Sequence, residues 1–184
     1  MSDFRREYLI DMRAQFAKLR STAERAMAQV GDEDFAKVLD AENNSIAVIV
    51  KHVSGNLRSR CTDWFTSDGE KPDRDRDGEF VLHPRDTRAR LLNEWAAAWD
   101  LLAATVEALE PDDLQRTLYI RAEAHTVGQA LNRHLGHLAY HTGQIALLAK
   151  HWAGSEWKTL TIPRGQSRAF DQAKREQQSM PRAT

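Results

Sequence analysis

One cysteine, Cys61, stands among 184 residues. A single thiol closes no internal disulfide, which excludes a disulfide-stapled scaffold and fits a reducing compartment. No apolar run approaches the roughly 20 residues of a membrane span, and the first residues lack a signal-peptide core, so a cytoplasmic protein without a membrane partner is expected. Charge of either sign is not in excess: 26 Lys and Arg face 27 Asp and Glu, for a formal net charge of −1. With no strongly basic half, binding driven by neutralising nucleic-acid phosphates is excluded. No serine sits in a nucleophile-elbow pattern, no glycine-rich phosphate loop follows a strand, and there is no internal repeat or low-complexity segment. The balance of 41% hydrophobic and 29% charged residues is that of an ordinary soluble domain. The length predicts one domain over 1–184, with a core at about 4–170 and a polar tail at 171–184.

What is present reads as helix almost throughout. Phe4, Tyr8, Met12, Phe16, Leu19, Ala23 and Met27 recur at steps of three and four, predicting an amphipathic helix capped by Ser2 or Asp3 and closed by Gly31. A short turn is expected over 34–39. Asn43-Asn44-Ser45 offers a cap for a second long helix, which opens on Ile46 to Val50, a run dense enough for burial on most sides. Ser67 to Glu79 is charged and broken by glycine and proline. It continues to Asp86 as a loop of roughly 20 residues, longer than a connection needs. A third helix starts near Thr87 and carries Leu91, Leu92, Trp95, Trp99, Leu102, Val106 and Leu109. Leu118 to Arg121 reads as one short extended crossing. Thr126 then caps a fourth helix that runs to about Trp152, and Ser167 caps a last short one. The pattern predicts an all-α four-helix bundle with a long loop between helices 2 and 3 and a short extended connector before helix 4.

The fourth helix carries His134, His137 and His141. A four-residue step advances about 6 Å and returns to one face, so His137 and His141 can chelate one divalent ion. His134 and His141 stand about 10.5 Å apart along the axis, too far to share an ion without bending the helix. His137 therefore pairs with one or the other. The best third ligand is His52, which follows Val48 and Ile49 on an apolar face of the second helix. The competing reading is three core histidines satisfied by hydrogen bonds. Burying three imidazoles without partners would cost on the order of a few kcal/mol, which weighs against it.

Asp73-Arg-Asp-Arg-Asp77-Gly78 matches the opening of a calcium-binding loop, but its twelfth position is Pro84 where a glutamate is required. Its charges are expected to form surface or loop-anchoring ion pairs. Cys61 reads as a small buried residue. His83, His125 and His151 fall at element ends. Asn56 and Arg60 follow His52 by one and two turns on the same face, within reach of a ligand. Trp95, Trp99, Trp152 and Trp157 exceed what a small bundle needs inside, which suggests a partner helix and a homodimer.

Several blocks together carry a family resemblance. Asn44 to Asn56, Ser59-Arg60, Asp68-Gly-Glu-Lys71, Arg76-Asp77-Gly-Glu-Phe80, His137-x3-His141-Thr-Gly-Gln144 and Trp157 to Gly165 resemble, in order and spacing, a domain-of-unknown-function branch of the DinB/YfiT-like metalloenzyme superfamily. The resemblance spans Tyr8 to about Phe170. It implies a four-helix bundle with an unusual crossover topology, assembled as a homodimer. It also implies a zinc or nickel ion held by His52, His137 and His141, with His134 outside the pattern. Relatives with assigned activities include transferases using low-molecular-weight thiols such as bacillithiol or mycothiol, along with isomerases and hydrolases. The superfamily's name refers to induction by DNA damage and implies no DNA binding.

Two classes of function follow. In the first, the chain is an enzyme whose metal activates a thiol or water, thiol S-transferase-like or hydrolase-like, on a small-molecule substrate. Asn56 would then orient a ligand or nucleophile, and Arg60 would hold an anionic group of a thiol cofactor or substrate. In the second, it is a non-catalytic bundle, structural or stress-related, that binds metal or a small ligand and whose site is closed by Gln144 or a loop carboxylate such as Asp68.

Overall fold

A computed structural model describes residues 3–179; Ser2, the alternative first cap, and residues 180–184 of the tail lie outside the described residues. Helix α1 spans Phe4–Met27, and its cap is Asp3, whose carboxylate accepts from the Arg5 backbone N–H. Gly31 does not close it. The helix ends at Ala28 in right-handed conformation, and Gly31 instead opens a second, five-residue helix, α2 (Asp32–Ala36). Phe4, the first member of the apolar series, is exposed, and the buried stripe begins at Leu9 and continues through Met12 and Phe16. Tyr8 keeps its polar end satisfied by donating to Asn132 Oδ1 at 2.8 Å.

Helix α3 (Ile46–Cys61) is capped by Ser45, whose hydroxyl accepts from the Val48 N–H, and every residue in it except Lys51 and Arg58 is buried. Helix α4 (Arg88–Glu107) follows the long loop and is capped by Thr87. Helix α5 (Val127–Ala153) begins at a reciprocal capping box between Thr126 and Gln129. Among these long helices α1 packs on α5 and α4, and α3 packs on α4 and α5. Ile49, Leu57, Leu91, Trp95, Leu102, Leu131, Leu138 and Ile145 fill the shared interior. None of the described helices is long and apolar enough to cross a membrane.

The tryptophans correct one expectation. Trp95 and Trp99 lie inside with ring centroids 5.4 Å apart, and Trp152 and Trp157 are half-buried against the same core. The core absorbs the supposed aromatic surplus, so it no longer argues for a partner helix. The tail corrects another. The expected last helix is present as α6 (Ser167–Ser179), with Ser167 as its first residue and not its cap, and it extends through the polar tail to Ser179.

The expected single crossing before α5 is a hairpin. Strand β1 (Thr117–Ile120) pairs antiparallel with β2 (Glu123–Thr126), with Leu118 opposite His125 and Ile120 opposite Glu123. Its two turn residues, Arg121 and Ala122, both have positive φ, at 56° and 61°. This is the backbone of a tight primed turn, for which glycine or asparagine is the usual choice. The compensation comes from the long loop: Asp68 accepts from the N–H groups of Arg121 (2.8 Å) and Ala122 (2.6 Å), and the Gly69 N–H donates to the Tyr119 carbonyl at 2.8 Å.

Replacing Asp68 by Ala should therefore cost about 1–2 kcal/mol in urea unfolding, the scale of losing its charge-assisted hydrogen bonds to Arg121, Ala122 and the Glu70 N–H in a partly exposed place. Adding Ala122→Gly should restore part of the loss, because glycine takes positive φ without steric cost. An Asp68→Ala variant as stable as the parent would show that the turn closes unaided.

Candidate metal centre

The period of α5 turns His137 and His141 towards α3, which presents His52 from its middle turn. The ring centroids stand 4.6 Å apart for His137–His141, 5.0 Å for His52–His141 and 5.3 Å for His52–His137. One ring nitrogen from each lies within 4.8 Å of the other two, so these three histidines form a group that can hold a metal ion. His52 and His141 are buried and His137 is half-buried. The Nε2 atoms of His52 and His137 are 3.3 Å apart. Nitrogens about 2.0–2.1 Å from a tetrahedral ion are separated by about 3.3 Å, so this pair already has the spacing of ligands.

The far ring nitrogens support the same orientation. His52 Nδ1 is 2.8 Å from Glu79 Oε2, and His141 Nδ1 is 2.8 Å from Gln144 Oε1. A carboxylate and an amide oxygen both require an N–H there, which leaves the lone pair on Nε2, facing the cluster. Outer partners of this kind set the tautomer and basicity of metal-binding histidines. His137 Nδ1 is buried with no partner among the described residues. Phe80 lies against the His52 ring, with centroids 4.8 Å apart.

Glu79 reaches His52 from a short 3-10 turn, Asp77–Phe80, within the long loop. Arg74 grips it with two 2.8 Å bonds, Nε to Oε1 and Nη2 to Oε2. Burial opposes its ionisation, but hydrogen bonds from His52 and Arg74 outweigh that, so its carboxyl is held below the usual range. Gly55 on α3 makes the approach possible: a Cβ there would collide with the Glu79 carboxyl group, whose Cδ is 2.7 Å from that position.

His134 is elsewhere. It is buried and stacked on Trp64, with centroids 5.8 Å apart, and is not one of the converging three. Asp68, a candidate to close the site, is engaged on the hairpin turn. Gln144, the other, holds the back of His141. Within the calcium-like stretch, Asp75 accepts from the Gly78 N–H and Arg74 turns inward to Glu79 and Glu70. Burial pushes the Cys61 thiol up to about 12, which leaves it an inert core residue. His83 lies in the loop before α4, His125 in β2 and His151 in the last turn of α5.

A cavity of about 190 Å³ opens beside His52 and His137. Asn56, Arg60 and His134 line it together with Arg74, Arg76, Arg121 and Arg133. Asn56 and Arg60 thus stand where their helical spacing from His52 predicted, within the same cavity. Glu79, Arg74, Arg121 and Arg133 were not identified as site residues from sequence. For Glu79 and Arg74 the signal was the unusual length and charge of the loop, which marks a region without marking a residue; Arg121 in the hairpin turn and Arg133 on α5 had no signal.

Burial holds His137 and His134 neutral, with pKa values lowered to about 3; the neighbouring His141 and His52 add to this at His137, and Arg60 and Arg133 at His134. Burial also lowers His141, against an opposing hydrogen bond to Gln144. The unfolded chain takes up protons on these rings near pH 6.5, and the folded chain does not. The contribution of His134 and His137 is therefore intact above about pH 6.5 and lost as pH falls towards 3, and that of His141 is lost in the same direction. Chelator-treated protein should lose up to about 1.4 kcal/mol of stability per pH unit across that window for the fully buried His134, and less for the partly solvent-screened His137, measured by urea unfolding. A flat profile from pH 6.5 to 4.5 would contradict the buried neutral rings.

No curated protein and no solved structure matches the chain. One family model does, described as "Protein of unknown function (DUF1572)", and its match runs over residues 3–166. That span takes in all of α1 to α5, the long loop with Glu79, and all three converging histidines. By a match covering most of its length, the chain belongs to the DUF1572 family.

Proposed function

We propose that this protein is a metal-dependent enzyme acting on a small molecule, built as a four-helix bundle of the DinB/YfiT-like type, with zinc or nickel held by His52, His137 and His141. The observation that carries the reading is the set of three converging ring nitrogens, two with their far nitrogens fixed by Glu79 and Gln144, at the wall of an open cavity. The ring of contacts linking α1, α5, α3 and α4 supports the bundle.

A divalent ion on three neutral imidazoles keeps its full charge and supplies Lewis acidity, lowering the pKa of a coordinated water or low-molecular-weight thiol towards neutrality. The chain's own groups do the positioning. Glu79 holds His52 in one tautomer, Arg74 keeps Glu79 ionised, and Gln144 does for His141 what Glu79 does for His52. Asn56, one turn beyond His52 and on the cavity wall, is placed to orient the nucleophile or substrate, and Arg60 to hold an anionic group. The engagement of Gln144 and Asp68 elsewhere favours an open metal position over the saturated site of a structural or stress-related bundle.

Purified protein should carry about one divalent metal per chain by elemental analysis. His52→Ala should abolish that content and His134→Ala should preserve it. Glu79→Gln should weaken metal binding roughly 10–100-fold, the usual effect of losing an outer partner. Equal metal loss in His52→Ala and His134→Ala, or turnover that survives full chelation, would sink the proposal.

A homodimer belongs to the same proposal. Tyr140 and Leu147, seven residues apart on α5, are 63% and 65% exposed and supply an apolar strip that alternates with Gly136 and Gly143 along the same helix. Sedimentation at micromolar concentration should give twice the 21.0 kDa chain mass, and Leu147→Glu should return it to the chain mass. A parent protein that sediments only as the single chain would refute the dimer.

A further inference from the structure

The cavity beside the histidines is lined by five arginines and by no carboxylate. Two carboxylates stand behind that wall. Glu70 is shared by Arg60 (2.9 Å), Arg121 (3.1 Å) and Arg74 (3.3 Å), and Glu79 is divided between Arg74 and His52. Arg76 only approaches the exposed Asp77, at 3.7 Å, and Arg133 has no ion pair among the described residues. Positive charge in the lining is therefore left uncompensated. Arg60 is the sharpest case. It is buried, its Nη2 is bound to Glu70, and its Nη1 is shielded from solvent with no hydrogen-bond partner among the described residues. A buried guanidinium donor without an acceptor is costly unless a ligand supplies one. The planar fork of arginine suits a carboxylate or phosphate.

We infer that this cavity binds the anionic group, carboxylate or phosphate, of a small-molecule substrate, with Arg60 as its principal contact and Arg133 and Arg121 closing from the rim. Because His52 and His137 line the same cavity, the anion is held beside the histidine cluster and the rest of the molecule is directed to it. That orientation rests on the metal-enzyme reading above; the anion binding itself does not. A carboxylate in the lining would have argued for a cationic or neutral ligand, and none is there. The formal net charge of −1 gives the chain no overall positive excess to suit a polyanion.

The test uses the full chain after chelator treatment, titrated calorimetrically with malonate, with inorganic phosphate and with uncharged malonamide at matched ionic strength. Malonate or phosphate should bind at least ten times more tightly than malonamide and should raise the melting temperature, since only the folded state holds the cavity. Which of the two binds more tightly identifies the headgroup as carboxylate or phosphate. Arg60→Met, with its fold checked by circular dichroism, should weaken that binding at least tenfold. Arg133→Gln, an exposed change that leaves the core untouched, should weaken it severalfold while metal content before chelation stays unchanged. Three results would overturn the inference: no preference for either anion over malonamide, full binding retained in both arginine variants, or binding seen only with metal present and lost in His52→Ala. Metal content measured on the same preparations before chelator treatment decides separately whether the metal centre itself stands.

Discussion

The carboxylate of Glu79 is the charge around which the histidine cluster is arranged. Taking a carboxylate out of water costs several kcal/mol unless its lone pairs are met. Here three donors meet it at 2.8 Å, one from His52 and two from Arg74. Arg74 is itself 3% exposed at its side chain and leans on Glu70, which in turn takes Arg60 and Arg121. The charges of the long loop, expected as surface or anchoring pairs, thus join a chain, buried at Glu79 and Arg74 and more open at Glu70 and Arg121, that runs from His52 along the cavity wall. Each member is tolerable only because the next is present.

The same loop orders the far side of the site. Asp68 clamps a turn that its own residues favour poorly, and the hairpin it closes leads directly into Thr126, the cap of α5. The start of α5, and with it the face on which His137 and His141 appear, is tied to the loop that delivers Glu79 to His52. Loop, hairpin and helix cap act as one positioning device although they are distant in sequence.

The helices and the histidines were legible because both obey a period. Apolar steps of three and four marked α1, α4 and α5, the dense run at Ile46 marked a buried α3, and His137 and His141 fell on one face by the same geometry. Capping residues at Ser45, Thr87 and Thr126 were readable since a side-chain oxygen before an apolar stripe has a local mechanism. Glu79 and Arg74 were not, because a loop has no period and a contact from residue 79 to residue 52 leaves no local trace. The hairpin escaped for a related reason: Arg121-Ala122 carries no turn chemistry of its own, and the stabilising oxygens come from Asp68. Tryptophan count misled because it cannot distinguish a crowded interior from an uncovered face.

Gly55 has a consequence for how α3 exists at all. A glycine in mid-helix costs about 1 kcal/mol relative to alanine, and its neighbours Ser54, Asn56 and Ser59 are indifferent helix formers. Sixteen residues of this composition lie near the length at which isolated helices are marginal in water. The helicity of the segment bearing His52 is therefore supplied by its surroundings, and the residue 46–61 peptide alone would be largely coil. The placing of His52 and the secondary structure arise there in the same step: until the loop closes over Gly55, the turn that presents His52 has little reason to be a turn.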